Sequence, residues 1–503
     1  MKNALQHRNW ISRMRLAGAG AGLALATVLV LAVLTTQSAQ AQVFTVLASF
    51  DGTNGVSPAA GLVQATNGKL YGTAAGGGVN SGGNVFEVTT SGTLTPLYSF
   101  CSQANCADGK SPQAGLVQAT NGKLYGTTVV GGANSEGTVF EISPSGLTTL
   151  YSFCTQVDCT DGAVPAAGLV QDTNGDLYGT TTDGGANNQG TVFKITPAGA
   201  LTTLYSFCAL PSCRDGAAPS AGLVQATNGD LYGTTSLGGV HKGGLVFKIT
   251  PAGKLTTFYN FCSLPSCSDG EEPLAGLIQG SNGDLYGTTS TDGVTGGGSV
   301  FEITLSGKLT TLYRFCSLPN CADGADPTAG LIQATDGNFY GTTLRWGANE
   351  YGTVFEITPA GNLTTLYSFC ALSSCSDGQS PGAGLIQDTN GTFYGTTESG
   401  GAISSGSCSD LVGGCGTVFS LSVGLGPFVE TQTTSGKVGA AVKILGTDLT
   451  GATSVTFNGE AAAFTVVSGS EITTKVPTGA ASGPVVVVTP GGTLTSNVIF
   501  RVT

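Results

Sequence analysis

One stretch of sequence recurs along the whole chain. It reads TNGKLYGTTVVGGANSEGTVFEI at Thr120–Ile142 and is written seven times with small edits. The tyrosine of its Tyr-Gly-Thr falls at Tyr71, Tyr125, Tyr178, Tyr232, Tyr286, Tyr340 and Tyr394, at spacings of 54, 53, 54, 54, 54 and 54 residues. A fixed period of this size restricts the chain to a solenoid, an array or a propeller, because each unit buries its apolar face only against a neighbour.

Each unit contains four short extended pieces. In the third they are AGLVQ (Ala167–Gln171), DLYGTT (Asp176–Thr181), GTVFKIT (Gly190–Thr196) and ALTTLYSF (Ala200–Phe207). They are rich in β-branched and aromatic residues and are separated by turn signals, the first being Asn174-Gly175, a strong hairpin cue. With 79 glycines in 503 residues and only 10% charged residues, the composition suits β-structure with many tight turns. Four antiparallel strands per unit predict the blades of an all-β, seven-bladed propeller.

Strand counting also predicts how the ring closes. The seventh unit supplies the first three pieces and stops near Gly424 without its LTTLYSF. The missing piece stands at the other end as FTVLASF, Phe44–Phe50, which should pair beside Val418 and Phe419. Such closure removes two open sheet edges.

The first 41 residues differ from the rest. Lys2, Arg8, Arg13 and Arg15 precede an apolar run from Leu16 to Leu34 and a small-residue box, Ala39-Gln40-Ala41. This is the pattern of a secretory signal peptide, with retention as an N-terminal anchor the alternative. Cleavage removes four of the 19 basic residues and none of the 31 acidic ones, leaving a net charge of about −16. That charge opposes nucleic-acid binding, and no later segment is apolar enough to span a membrane.

The 14 cysteines lie in local pairs. Six share the spacing C-x4-C: Cys101/Cys106, Cys154/Cys159, Cys208/Cys213, Cys262/Cys267, Cys316/Cys321 and Cys370/Cys375; Cys408/Cys415 are further apart. In an exported chain these read as disulfides. Each of the six would stiffen a long loop that has no strand partner. Zinc would need four ligands within reach, and successive pairs are about 54 residues apart with no histidine beside them.

The unit GLVQATNGKLYGTT…GG…GTVFEI…LTTLYSF resembles the bacterial GloVer tandem repeat over residues 44–423. That resemblance implies an exported, propeller-like protein with no set activity; the C-terminal apolar anchor of many such proteins is missing here. After Gly426-Pro427 the pattern changes. Gly446-Thr447-Asp448-Leu449, GATSVTFNG, Val476-Pro477, Gly483 and Thr489-Pro490 resemble an IPT/TIG immunoglobulin-like domain, a spacer or docking unit. The expected layout is therefore a signal peptide over 1–41, a propeller over 42–423 and a β-sandwich over 424–503.

Residues repeated seven times need a structural reading first. The Tyr, Phe and Leu of LYGTT and LYSF should pack between blades, and the Gly of Tyr-Gly-Thr should allow close backbone approach near the axis. The Asp-Gly after each second cysteine of the C-x4-C pairs, Asp108-Gly109 for example, is a turn signal; a ring of such carboxylates holding calcium is the alternative. No other cofactor is expected.

In a propeller, the loops carrying the C-x4-C pairs and those between the second and third strands share one face. Residues breaking the repeat there are the candidate ligand-binding residues: Arg345, Trp346, Glu350 and Tyr351 in the sixth unit, and His241-Lys242 in the fourth. Aromatic rings beside a carboxylate and a guanidinium suit stacking on, and hydrogen bonding to, a sugar. The loop carboxylates Glu350, Glu271, Glu272 and Asp183 leave open a polysaccharide lyase or glycoside hydrolase. A loose GxSxG at Gly401–Gly406 lacks the helix of a nucleophile elbow, and no catalytic residue is assigned. The expectation is a secreted or envelope binding protein recognising a carbohydrate, surface polymer or protein through the disulfide face. A purely structural role is the third reading.

Overall fold

Seven sheets of four strands follow one another along the chain. The structure is a computed structural model and describes residues 42–172, 174–402, 408 and 414–503. The segment expected to be a signal peptide, 1–41, and part of Gly401–Gly406 lie outside these residues.

The second unit shows the pattern: strands Val117–Gln118, Leu124–Thr128, Thr138–Ser143 and Gly146–Ser152 pair antiparallel in that order. In the seventh sheet the fourth place is taken by Val43–Ser49, paired with Thr417–Ser422 so that Phe44 faces Leu421 and Val46 faces Phe419. Phe44 stacks on Tyr367 of the sixth blade at 3.8 Å between centroids. The ring closes as the sequence predicts.

The first strand is shorter than AGLVQ suggests, with only its last two residues in the ladder. The Ala-Gly half is used between blades instead. The hydroxyl of Thr73 donates to Ala114 O of the next blade, and the same bond recurs round the ring to Thr396 and Ala60 O. A second ring is built by glutamines, with Thr66 N–H donating to Gln118 Oε1 and Thr389 N–H closing the circle on Gln64 Oε1.

Glycine has a different role from the one expected. A β-carbon on Gly72 of Tyr-Gly-Thr would lie 2.6 Å from the Phe86 ring, so this glycine makes room for an aromatic within its own blade. The close backbone approach where blades converge belongs to the Gly of AGL: a β-carbon on Gly61 would sit 3.2 Å from Gly384 O.

The core lies between blades. Tyr125, Val139 and Phe153 pack with Leu169, Leu177 and Phe193 of the next blade, and equivalent clusters recur around the ring. Phe153 meets Phe193 edge to face at 5.2 Å.

The C-terminal segment forms two four-stranded sheets, one of Val429–Thr431, Ala441–Gly446, Glu471–Lys475 and Phe464–Val466, the other of Glu460–Ala461, Ser454–Phe457, Val485–Thr489 and Gly492–Thr495. They enclose a core that includes Ile444, Phe457, Ile472, Val487 and Phe500. This sandwich sits on the propeller face made by the Asn-Gly turns, over blades seven, one and two. Phe428 N–H donates to Thr389 O, Ser470 Oγ to Thr66 O at 2.8 Å, and Gln432 Nε2 to Ala119 O at 2.9 Å.

Candidate functional site: the disulfide face

All seven expected disulfides form: Cys101–Cys106, Cys154–Cys159, Cys208–Cys213, Cys262–Cys267, Cys316–Cys321, Cys370–Cys375 and Cys408–Cys415. The segments that six of them close are not the unpartnered loops expected from the sequence. Each second cysteine ends a single turn of 3-10 helix, at Ala104–Cys106, Val157–Cys159, Pro211–Cys213, Pro265–Cys267, Pro319–Cys321 and Ser373–Cys375. Cys213, Cys321 and Cys375 are half-buried and have positive φ, of +52°, +50° and +49°. That backbone turns their carbonyls onto the neighbouring loop: Cys213 O accepts from Gly239 N–H at 2.8 Å, Cys321 O from Gly347 N–H at 3.0 Å and Cys375 O from Gly401 N–H at 2.9 Å. The disulfide turn is thus hydrogen-bonded to the loop between second and third strands, a long-range partner that local spacing does not reveal.

Each C-x4-C turn is also the start of a strap that runs between two blades. Following Cys101–Cys106, Ser111 N–H donates to Gly82 O of the preceding blade, and Lys110 pairs with Val130 of the following one. Equivalent bonds occur at every junction, ending with Ser57 N–H on Cys415 O. The straps and the loops between second and third strands therefore form one continuous face. The sandwich occupies the opposite one.

The strap aspartates are structural. Asp161 is fully buried; its carboxylate accepts from the Tyr151 hydroxyl at 2.7 Å and from the backbone N–H groups of Thr155 and Gln156. Burial alone would push this carboxyl up, but those bonds outweigh it and hold it below the usual carboxylate range. The Tyr151 hydroxyl is pushed up to about 12 by burial and by Asp161. Carboxylates spent in this way are not arranged to receive a calcium ion. The cluster of Cys262, Cys267 and Glu271 has ligand-like spacing, but its sulfurs are joined as a disulfide.

Arg345, Trp346, Glu350 and Tyr351 come together on one tight loop, the one tied to Cys321. Trp346 and Tyr351 pair as a parallel bridge, with Trp346 N–H donating to Glu350 O at 3.1 Å, and both residues are 43% exposed. His241 and Lys242 are exposed on the fourth blade, two blades away, on the loop tied to Cys213. Glu271 and Glu272 lie on the strap entering the fifth blade and Asp183 on the loop of the third, so these candidate carboxylates are spread over different blades.

The backbone at Trp346 is unusual. Its φ is +64°, and the equivalent residues Gly77, Gly131, Gly184, Gly238 and Gly400 also have positive φ. A β-carbon on Gly131 would lie 2.7 Å from the Gly109 carbonyl carbon. Blade six thus puts the bulkiest side chain where five blades use none, at a backbone cost of about 1 kcal/mol. Glu350 also has positive φ, at +73°.

Two features escape a reading by repeat-breaking residues. Asp326 on the adjoining strap lies 3.4 Å from Arg345 Nη1; burial pushes its carboxyl up, partly offset by that guanidinium. Its signal is faint, one variable position in the strap. The second is an arc of apolar side chains on successive disulfide turns: Leu210, Leu264, Leu318 and Leu372 are each about half exposed. They repeat, and a repeated leucine reads as core. The arc lies on the same face as Trp346 and Tyr351.

The Gloeobacter/Verrucomicrobia repeat family matches residues 32–212 and 209–409, and the IPT/TIG domain family matches residues 427–502. No curated protein is similar in sequence. Among solved structures, a fungal alcohol oxidase of the AA5 family in complex with copper aligns at TM-score 0.50 and 13% identity, over 89% of this chain and 97% of its own. A puromycin hydrolase aligns at TM-score 0.42 and 12% identity, over 69% of this chain and 53% of its own. A Bacteroides thetaiotaomicron protein of unknown function aligns at TM-score 0.38 and 13% identity, over 60% and 72%. At these identities the first likeness concerns fold alone and the other two carry no argument. The repeat, the IPT/TIG module and the disulfides are consistent with a binding or structural extracellular protein.

Proposed function

This chain belongs to the Gloeobacter/Verrucomicrobia repeat family, and from that premise we propose that it is an exported binding protein of the bacterial envelope whose disulfide face engages a carbohydrate or other surface polymer. The N-terminal leader pattern and the seven disulfides support export. The reading rests on one observation: at a left-handed position where five other blades carry glycine, blade six holds an exposed Trp346, a side chain that blade geometry does not require. Its ring and that of Tyr351 offer apolar platforms, Arg345 and Glu350 supply hydrogen bonds, and the leucine arc extends the contact along the face. His241 and Lys242 are further contacts for a long polymer.

The test is glycan-array and cell-wall polymer binding by residues 42–503. Trp346→Ala and Tyr351→Ala should each weaken binding at least about tenfold, in line with the energy of a stacked aromatic anchor. Thermal unfolding should not be lowered. Binding unaffected by both substitutions refutes the assignment.

A further inference from the structure

The seven repeats are not equally spaced, and the single short interval has a structural consequence. Between Tyr125 and Tyr178 one residue is missing, from the turn joining the third and fourth strands of blade two: Pro144-Ser145-Gly146-Leu147 stands where blade three has Pro197-Ala198-Gly199-Ala200-Leu201.

Elsewhere this turn fills the wedge between neighbouring blades. Each fourth strand carries a one-residue irregularity at a Leu or Phe, such as Leu150, and at five junctions the carbonyl of that residue is covered by the turn glycine of the next blade. A β-carbon on Gly92 would come within 2.5 Å of Leu47 O, and on Gly199, Gly253, Gly307 and Gly361 within 2.6–3.4 Å of their counterparts. Gly146 has nothing within 4 Å. Its turn falls short of Leu97, which is 41% exposed. Tyr71 behind it is 8% exposed, against 0–3% for the other six Tyr-Gly-Thr tyrosines.

The result is a cleft of about 480 Å³ between blades one and two, beside the sandwich and on the opposite side from the disulfide loops. Leu97, Ile142 and Pro144 give it an apolar wall; Tyr71, Glu87 and Asn67 give it a polar one. Glu87 accepts from Lys69 Nζ at 2.6 Å, and from the Tyr71 hydroxyl at 3.2 Å. Its charge is therefore already matched.

We infer that this cleft is a second binding site, for a neutral sugar of one or two rings. The volume lies within the range of small-ligand sites, roughly 300–1,000 Å³. A charge-balanced hydrogen-bonding wall opposite an apolar one matches a pyranose, which carries hydroxyls at its edge and C–H groups on its face. An ionic ligand would have to break the Lys69–Glu87 pair.

The experiment is ligand-observed saturation-transfer NMR on residues 42–503. The probes are the methyl glycosides of glucose, galactose and N-acetylglucosamine, together with cellobiose and chitobiose. At least one should bind. Inserting one alanine after Gly146 restores the length of the other turns and should weaken that binding at least about tenfold; Leu97→Trp, which fills the cleft without changing the turn, should do the same. Trp346→Ala should have no effect, which separates this site from the disulfide face. Absence of binding by all five probes overturns the inference, as does binding that persists in a folded insertion variant or, should that variant fail to fold, in Leu97→Trp.

Discussion

Asp388→Asn should stabilise this protein at pH 8 and do little at pH 4.5. Asp388 lies in the Asn-Gly turn of blade seven, is 2% exposed and leaves its Oδ2 without a hydrogen-bond partner. Ala65, Ala119, Ala226 and Ala334 occupy the same place in other blades, so the turn does not require a carboxylate. Partly buried Glu430 faces it from the first strand of the sandwich. Burial pushes Asp388 up to about 6, against the pull of Asn390 N–H and the Gln64 amide. Burial and then the Asp388 charge push Glu430 up to about 7. Tyr394 also feels the Asp388 charge.

Both carboxyls have folded-state values above their unfolded ones, so the folded protein binds more protons. The stability they confer is complete below about pH 4 and is lost as pH rises through about 6 to 7. For Asp388 a rise from 3.8 to about 6 corresponds to about 3 kcal/mol. The two titrate as a pair, so a second full increment is not to be added. Asn390 N–H can still donate to an asparagine oxygen. Urea unfolding followed by the release of the sandwich should give Asp388→Asn a gain of about 2–3 kcal/mol at pH 8, shrinking toward zero at pH 4.5. An equal effect at both pH values, or destabilisation confined to pH 8, would refute the reasoning.

Three further outcomes are expected. Asp161→Ala should cost about 2–4 kcal/mol in denaturant unfolding, because it strips the Tyr151 hydroxyl and two strap N–H groups of their acceptor. Asp108, Asp161 and Asp269 are all held below their ordinary range, so their stability is present above about pH 4 and lost at lower pH; Asp161→Ala should flatten that acid limb. Replacing Cys154 and Cys159 by serine should cost about 2 kcal/mol by the loop-entropy estimate and leave the ring closed, with unchanged radius in small-angle scattering.

The ring was legible because period, strand count and closure are all local patterns read seven times over. Cysteine pairing was legible for the same reason, since each bond closes within one loop. What the second cysteine of each pair does beyond its bond was not, because the partner of Cys213 O or Cys321 O is a glycine more than 20 residues further on. The glycine of Tyr-Gly-Thr was misread because its constraint comes from Phe86, a residue on the next strand, and not from the axis. The missing residue of blade two was visible as a spacing of 53, but its meaning depends on Leu97 of another blade. The leucine arc was hidden by its own regularity. Where the sandwich sits was not legible at all, because it rests on single contacts such as Ser470 to Thr66, whose partners carry no common pattern.

The seam at Val43–Ser49 and Thr417–Ser422 sets an order of events. The earliest part of this body to be synthesised finds its mate only when the last repeat has been made, more than 360 residues later. Until then the growing stack keeps a bare backbone edge at each end, open to neighbours of its own kind. The circle is complete only in a chain that has been finished, and a prematurely terminated product would carry two adhesive margins instead of none.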